Sequence, residues 1–241
     1  MSRLKLSVLA GSVALGLLAW ALTADIISIA GSARASEPPA SVAASISGIP
    51  TASSSLQTAV LAGGCFWGTQ GVFEHVKGVR QVLAGYSGGE RATAAYGTVS
   101  TGTTGHAESI QITFDPAVVS YADILQIFFS VAHDPTELNR QGPDTGTQYR
   151  SEIFFADETQ QKTALTYIAQ LDQAHVFGHR IVTRVDPLKG FYPAEAYHQD
   201  FLVRNPRYPY IVFNDLPKIA NLKREFPQIY VEQPALVATA R

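Results

Sequence analysis

A short apolar run at residues 58–62 is interrupted by Gly63 and Gly64 directly before Cys65, the only cysteine among 241 residues. The run is typical of a strand, and the segment that begins at Phe66 is typical of a helix, so Cys65 is predicted at a strand-to-helix turn. Unpaired N–H groups and the helix dipole favour negative charge there, which predicts a thiol pKa below about 8.5 and a thiolate nucleophile. The alternative is a small, buried and inert cysteine.

The N-terminus has the features of an export signal. Arg3 and Lys5 precede an uncharged stretch at 6–24, and small residues form an A-x-A cleavage site directly before Ser36. The stretch is also close to the roughly 20 residues that span a bilayer. We therefore expect residues 1–35 to be a signal peptide or, uncleaved, a membrane anchor. Either form predicts an exported protein, periplasmic or otherwise extracytoplasmic, that contacts the membrane through this segment only.

The rest of the chain divides by composition. Residues 36–57 are rich in Ser, Ala and Pro and lack apolar periodicity, which predicts a flexible linker. Residues 58–230 are long enough to bury one full hydrophobic core and are the expected folded domain. Residues 231–241 are expected to form a tail.

Charge and cysteine content exclude several classes of protein. The net charge is −2, and no basic run is interleaved with aromatic residues, so a nucleic-acid partner is not expected. A single cysteine excludes an internal disulfide in the mature protein and a zinc site built on several cysteines. The six histidines show no metal-ligand spacing with carboxylate partners. We expect a monomer without a bound metal or cofactor.

The pattern beyond residue 58 alternates strands and helices. Strands are predicted at 58–62, 79–86, 108–114, 149–156 and 181–185. Helices are predicted at 66–75, 121–132, 157–175, 194–203 and 216–226, with Ser120 and Asp157 as caps. This layout predicts an α+β or mixed α/β fold with long loops, in which helices cover a small sheet.

Three segments concentrate groups that could act on a substrate. Each lies at a predicted turn or in a long loop, where compact domains often carry their functional residues. They are Cys65-Phe66-Trp67, Tyr96 together with Gly105-His106-Ala107-Glu108, and the run 139–150 that contains Asp144 and Tyr149.

These segments belong to six motifs that follow one another in the chain. They are Gly64-Cys65-Phe66-Trp67-Gly68, Gly85-Tyr86-Ser87-Gly88-Gly89, Thr104-Gly105-His106-Ala107-Glu108, His133-Asp134-Pro135-Thr136, Gly146-Thr147-Gln148-Tyr149-Arg150-Ser151, and Phe191-Tyr192-Pro193-Ala194-Glu195 followed by Tyr197-His198-Gln199. With these motifs the chain resembles the A-type peptide methionine sulfoxide reductases over residues 59–230.

The resemblance implies both a fold and an activity. The expected fold is a two-layer ferredoxin-like sandwich with long loops and an irregular C-terminal tail, and 58–230 becomes the catalytic domain. The expected activity is the thiol-dependent reduction of free or peptide-bound methionine S-sulfoxide to methionine, which repairs proteins after oxidative damage. The expected intermediate is a sulfenic acid on Cys65.

Reduction of a sulfoxide by a thiol needs a nucleophile at sulfur and a proton for the departing oxygen. The resemblance gives the first role to Cys65. Glu108 is the expected acid, because a carboxyl shielded from water can hold its proton near neutral pH. Tyr96 and Tyr149 are expected to donate hydrogen bonds to the sulfoxide oxygen.

The substrate-binding residues expected on the same grounds are Phe66, Trp67 and Asp144. The two aromatic residues would form an apolar pocket for the methyl group, and Asp144 would accept a hydrogen bond and hold the loop beside Tyr149. Each expected role has a structural alternative. Glu108 could be a solvated strand end, and the aromatic residues could be ordinary packing, as could both tyrosines; Asp144 could be a turn residue.

Two further histidines raise a cysteine–histidine protease as an alternative. In the resembled family neither His106 nor His198 is the base. The expectation for His198 is a structural hydrogen bond or a role in orienting the site.

The C-terminus differs from that of many relatives, which carry one or two additional cysteines. Residues 229–235 contain none. The resemblance is therefore to the one-cysteine type, in which an external thiol must reduce the oxidised Cys65. A thioredoxin-like protein, a glutaredoxin or a small thiol is the expected donor, and oxidised proteins or peptides are the expected substrates.

Two other classes of function are alternatives. A one-cysteine thiol peroxidase would share the nucleophile and the sulfenic acid, although no threonine or serine lies at a fixed short spacing before Cys65 with a proline ahead of it. A non-catalytic protein could bind apolar or sulfoxide-containing peptides through Phe66 and Trp67.

Overall fold

The computed structural model describes residues 55–237. The predicted signal or anchor at 1–35 lies outside the described residues, as do most of the linker at 36–57 and the last four residues of the tail. Within the described part of the chain, every helix is too short or too polar to cross a bilayer.

Strands and helices alternate along the described residues. The strands are β1 (Gln57–Gly63), β2 (Val79–Ser87), β3 (Ala107–Phe114), β4 (Arg140–Gln141), β5 (Asp144–Thr145), β6 (Ser151–Phe155), β7 (Arg184–Pro187) and β8 (Phe191–Pro193). The helices are α1 (Phe66–Glu74), α2 (Tyr96–Val99), α3 (Tyr121–Ile127), α4 (Glu158–Gln173), α5 (Phe201–Arg204) and α6 (Leu216–Glu225). One π-helical turn, Phe128–Ala132, continues α3, and another, Ile211–Asp215, leads into α6.

The main sheet has the strand order β7-β6-β1-β3-β2-β8. Its four inner strands pair antiparallel, β7 is parallel to β6, and β8 is antiparallel to β2. The elements β1, α1, β2, β3, α3 and β6 therefore form a β-α-β-β-α-β unit with the inner order β6-β1-β3-β2. This is the ferredoxin-like arrangement, and the expected mixed α/β fold is confirmed.

Alternation along the strands separates two apolar clusters. Leu61 on β1 packs with Phe73 of α1 and Leu125 of α3 in the larger core, and all three are fully buried. Val60, the neighbour of Leu61, faces the other side of the sheet and packs with Phe154 in a small second cluster. The helices therefore cover one face of the sheet, as the period of two in the strands requires.

Both predicted caps are present. The Ser120 side chain accepts from the Asp123 N–H and forms a capping box, and the Asp157 side chain accepts from the Gln160 N–H. These bonds satisfy N–H groups that the first turn of each helix leaves without a backbone partner.

Three predicted elements are wrong in their bounds. The strand expected at 149–156 begins only at Ser151, and Tyr149 lies in a 3₁₀ turn. The strand expected at 181–185 lies at Arg184–Pro187, where it pairs with β6. The helix expected at 194–203 is a 3₁₀ turn, Ala196–His198, followed by the short α5.

The last of these errors has a clear physical cause. Gln199 is extended and Asp200 has a φ of 53°, so the backbone cannot continue as one helix. The Gln199 side chain instead replaces a strand partner: it accepts from the Ala84 N–H at 2.9 Å and donates to the Ala84 carbonyl at 2.9 Å and the Ala194 carbonyl at 3.0 Å. These buried hydrogen bonds attach the chain that follows β8, called the C-terminal segment below, to the edge of β2.

Candidate active site

The turn between β1 and α1 positions the thiol. Gly64 has a φ of +85°, a conformation that favours glycine, and Cys65 is the N-cap residue of α1. The predicted strand-to-helix turn is confirmed. The only cysteine therefore lies where the chain reverses from the sheet into the helix layer.

A cavity of about 170 Å³ opens at this turn. All seven residues predicted for the site line it, together with one residue that the sequence analysis did not find. They are Cys65, Phe66, Trp67, Tyr96, Glu108, Asp144 and Tyr149, and the additional residue is Tyr210. Separate elements supply them. The cavity therefore forms only when the sheet, the segments before β3 and before β6, and the C-terminal segment are all in place.

Glu108 lies on β3 and is almost fully buried. One of its carboxyl oxygens, Oε2, accepts from the Phe66 N–H at 3.0 Å. Burial raises the pKa of Glu108 to about 8, although this hydrogen bond acts in the opposite direction. A carboxyl with such a pKa carries its proton at neutral pH and can deliver it inside the cavity.

Cys65 does not have the lowered thiol pKa that its place at a helix N-terminus predicts. Burial raises the pKa of Cys65 well above its ordinary value, and the nearby carboxyls of Glu108 and Asp215 raise it further. A hydrogen bond from the backbone N–H of Trp67 favours the thiolate, but burial and the carboxyls have the larger effect on the pKa. The prediction of a resting thiolate is therefore wrong. The free energy needed to remove the thiolate from water exceeds the stabilisation that the helix N-terminus gives it.

Aromatic rings form one wall of the cavity. Trp67 stacks on Phe201 with ring centroids 3.8 Å apart and meets the rings of Tyr208 and Tyr210 edge-on. Phe66 is buried and packs against Tyr86. This wall offers an apolar surface next to the thiol, and it joins the main core at Phe66.

His198 supports this wall from behind. Its Nδ1 accepts from the Trp67 indole N–H at 3.1 Å, and burial lowers the pKa of His198, which keeps the ring neutral. The ring also packs against Phe66 and Tyr96. The expected structural hydrogen bond of His198 is confirmed. His106 instead bonds to the Gly89 N–H and the Glu90 carbonyl, away from the cavity lining.

Two phenols, those of Tyr96 in α2 and Tyr149 in the 3₁₀ turn, line the same cavity as the thiol. Burial raises the pKa of Tyr96 and of Tyr149, so both keep the O–H group that a hydrogen-bond donor needs. The backbone of Tyr96 is fixed by Glu195, which accepts from the Tyr96 N–H at 2.9 Å and from the Tyr86 hydroxyl at 2.9 Å. Glu195 is thus a supporting residue that the sequence analysis quoted in a motif without a role.

Asp144 accepts its hydrogen bond from a partner outside its own loop. The donor is the Tyr210 hydroxyl, which comes from the C-terminal segment. Burial raises the pKa of Asp144. The bond ties the loop of Asp144 and Tyr149 to the segment that carries the aromatic wall, and the cluster Tyr208-Pro209-Tyr210 is the sequence signal that could have indicated it.

Arg150 joins the loops that carry Glu108 and Tyr149. Its guanidinium donates to the carbonyls of Gly105, His106 and Thr147 at 2.8–3.1 Å and to the buried carboxylate of Glu152. One planar group therefore fixes the approach to β3, the 3₁₀ turn and the start of β6.

The described residues hold no group of three or more His, Cys, Asp and Glu side chains that could bind a metal ion. The chemistry available from the geometry is that of a thiol beside a protonated carboxyl, two phenols and an apolar wall. A ferredoxin-like domain with this cavity has the site of a cysteine-dependent enzyme that works with an internal acid.

Comparison with known proteins identifies the family. The family described as "Peptide methionine sulfoxide reductase" matches residues 57–229. A protein of Mesorhizobium japonicum named "Peptide methionine sulfoxide reductase MsrA 2" is 60% identical over 184 residues, 76% of this chain and 94% of that protein. A protein of the same name from Synechocystis is 51% identical over 75% of this chain and 85% of its own length.

Solved structures agree with this match. Reduced Mxr1 of Saccharomyces cerevisiae is 34% identical, with a TM-score of 0.60 over 64% of this chain and 87% of that one. Methionine sulfoxide reductase A of Corynebacterium diphtheriae is 31% identical, with a TM-score of 0.57 over 72% and 85%. The chain belongs to the peptide methionine sulfoxide reductase A family.

The Arg150 network generates a prediction about stability. Arg150→Lys keeps the charge but loses most of the hydrogen bonds that the guanidinium donates. We therefore expect the free energy of unfolding to fall by about 3 kcal/mol, at about 1 kcal/mol per hydrogen bond. Arg184→Lys is the matched control, because Arg184 reaches the same Glu152 from the exposed side, 3.9 Å away, and should change stability by less than about 1 kcal/mol. Urea unfolding measures both, and equal losses would contradict the role of Arg150.

Proposed function

We propose that this protein reduces methionine S-sulfoxide, free or in peptides, and so repairs proteins after oxidative damage. The observation that carries the proposal is the cavity in which Cys65 and the protonated Glu108 lie beside an aromatic wall. A sulfoxide presents an electrophilic sulfur, a basic oxygen and a methyl group, and the cavity has a complementary group for each.

Binding places the three parts of the sulfoxide against three kinds of side chain. The methyl group packs on Phe66 and Trp67, whose rings exclude water. The oxygen accepts hydrogen bonds from Tyr96 and Tyr149, which strengthen as the oxygen gains charge. The handedness of this arrangement selects the S epimer, in keeping with one repair enzyme per epimer.

The chemical step moves one oxygen and two electrons. Glu108 gives its proton to the sulfoxide oxygen, and the sulfur of Cys65 attacks the sulfoxide sulfur while its own proton passes to the Glu108 carboxylate. The hydroxyl then transfers from the substrate sulfur to the Cys65 sulfur as the bond between the two sulfur atoms breaks, and the electron pair of that bond stays on the substrate sulfur. Methionine leaves reduced by two electrons, and Cys65 remains as a sulfenic acid oxidised by two.

Recycling requires thiols from outside the chain, since the sequence holds one cysteine. A first thiol condenses with the sulfenic acid, which releases water and leaves a mixed disulfide at Cys65. A second thiol attacks that disulfide and restores Cys65. The donor is a thioredoxin-like protein, a glutaredoxin or a small thiol.

We propose an extracytoplasmic site of action, supported by the charge pattern and the A-x-A site of residues 1–35. The donor in that compartment is then an exported or membrane-linked thiol protein rather than a cytosolic one.

The first prediction separates this function from the two alternatives. With a thiol donor present, the protein should reduce a peptide that contains methionine S-sulfoxide and leave the R epimer unchanged. Cys65→Ser should abolish turnover because a hydroxyl oxygen is a far poorer nucleophile than the sulfur of a thiol that loses its proton during attack. Chromatography of resolved epimers measures both. A peroxidase would instead consume hydrogen peroxide faster than sulfoxide, and a binding protein would retain the peptide without converting it.

The second prediction concerns the acid. Activity needs protonated Glu108, and the protonated fraction falls as pH rises through about 8, so kcat/KM should decline above that pH. Glu108→Gln keeps the shape without the transferable proton and should lower kcat by roughly 10²–10⁴-fold and remove the alkaline decline. The exposed Glu158→Gln on α4 is the control and should keep the profile of the unmodified protein. An unchanged rate in Glu108→Gln would show Glu108 to be structural.

A further inference from the structure

An ion pair that the reaction above does not use, between a buried Asp215 and a partly exposed Lys218, lies at the start of α6. Asp215 is fully buried, and the Lys218 Nζ lies 3.3 Å from its Oδ1. The other carboxyl oxygen, Oδ2, is buried without a hydrogen-bond partner. Asp215 occupies the N-cap position of α6 but makes no capping bond with its side chain. Helix capping therefore does not explain why a carboxylate is buried at this position.

The pair rests against the helix that carries the nucleophile. A Cβ built on Gly68 would lie 2.0 Å from the Asp215 Oδ1 and 2.9 Å from the Lys218 Nζ, so only a glycine admits both charged groups at this point. Gly68 follows Cys65 by three residues. Positions three apart lie on the same side of a helix, so the pair faces the end of α1 on which the thiol sits.

Burying the Asp215 carboxylate in this way is expensive. Removing a charged group from water costs several kcal/mol, and its attraction to the partly exposed Lys218 repays that cost only when the remaining polar atoms are also bonded. Here Oδ2 is unbonded, which makes the pair a weak source of stability. An electrostatic role toward a neighbouring group accounts for both its burial and its position.

We propose that Asp215 and Lys218 are positioning residues for the reaction, because their opposed charges act on the Cys65 sulfur through the first turn of α1. The carboxylate disfavours the thiolate, so Cys65 keeps the proton that it later passes to Glu108. The ammonium moderates this effect. The inference deepens the proposed function, and it rests on that function only in taking Cys65 as the nucleophile.

The pKa shifts show that Asp215 acts on Cys65 and that Lys218 acts on the neighbouring carboxyls. The charge of Asp215 contributes to the raised pKa of Cys65, after burial and Glu108. Burial raises the pKa of Asp215, and the Lys218 charge opposes this. Lys218 also favours the ionised form of Asp144, the next carboxyl along the cavity.

The remaining groups that face Cys65 are acids or neutral rings. They are the carboxyls Glu108 on β3 and Asp144 on β5, and the phenols Tyr96, Tyr149 and Tyr210. His133, which packs against Gly63 at the end of β1, is neutral because burial lowers its pKa to about 4. His198 behind the aromatic wall also has a lowered pKa. Lys218 is therefore the positive charge that opposes the acids in this part of the described chain.

The test measures the thiol itself and needs no sulfoxide. Alkylation of Cys65 by iodoacetamide is followed from about pH 6 to about pH 9, and variants are compared at the alkaline end, where carboxyls with a raised pKa are ionised. Asp215→Asn keeps the shape and removes the negative charge, so alkylation should become about tenfold faster, as expected for one unit charge at short range. Lys218→Met should make it several-fold slower, and Lys218→Arg should restore the rate.

Matched surface variants control for the loss of any charge. Asp186→Asn breaks an exposed ion pair with Arg184, and Lys162→Met removes an exposed lysine of α4; both should leave the alkylation rate unchanged. Near-ultraviolet circular dichroism verifies that each variant is folded. Opposite changes in Asp215→Asn and Lys218→Met support the proposal. Changes of the same sign, which loosened packing would cause, or no change in either variant, would overturn it. A missing sulfoxide activity would affect the proposed function alone.

Discussion

The hydrogen bond from the Phe66 N–H to Glu108 is the contact on which the site depends. It joins the start of α1, where Cys65 lies, to the beginning of β3, and both of its residues are buried. Because the carboxyl is buried, its pKa is about 8 and its proton is available at neutral pH. The same burial keeps Cys65 a thiol. Nucleophile and acid are thus both neutral. The sulfoxide oxygen can take a proton from Glu108 while the sulfoxide sulfur is attacked by Cys65.

A neutral resting site changes the expected order of events. A preformed thiolate next to an ionised carboxylate would be costly to bury, since like charges and desolvation both oppose it. In the proposed reaction, a protonated Glu108 first activates the sulfoxide and then receives the Cys65 proton, which avoids that cost. This reaction regenerates the acid within one turnover and leaves only the sulfur of Cys65 changed. The absence of a second cysteine from the sequence then leaves the oxidised sulfur to an external thiol.

Sequence patterns predicted the parts of the fold and of the site that depend on local chemistry. The Gly63-Gly64 break, the period of two along β3 and the caps at Ser120 and Asp157 each follow from a few neighbouring residues. Local pattern also placed the thiol at its turn but gave the wrong direction for its pKa, because burial is a property of the assembled fold. Tyr210 and the Asp215–Lys218 pair were missed for the same reason. Tyr210 lines the cavity and the pair lies against Gly68, both from a segment more than 140 residues beyond Cys65, and no spacing rule connects them.

In the proposed reaction the oxygen of one sulfoxide is transferred to Cys65 and stays there until an outside thiol removes it. Mass spectrometry of the protein after incubation with excess methionine S-sulfoxide, without reductant, follows this transfer. We expect one equivalent of methionine per chain and a single added oxygen on Cys65 that dimedone traps as a sulfenic acid. Two equivalents of methionine per chain would contradict it. So would an oxidised protein in which Cys65 carries neither the oxygen nor the dimedone adduct.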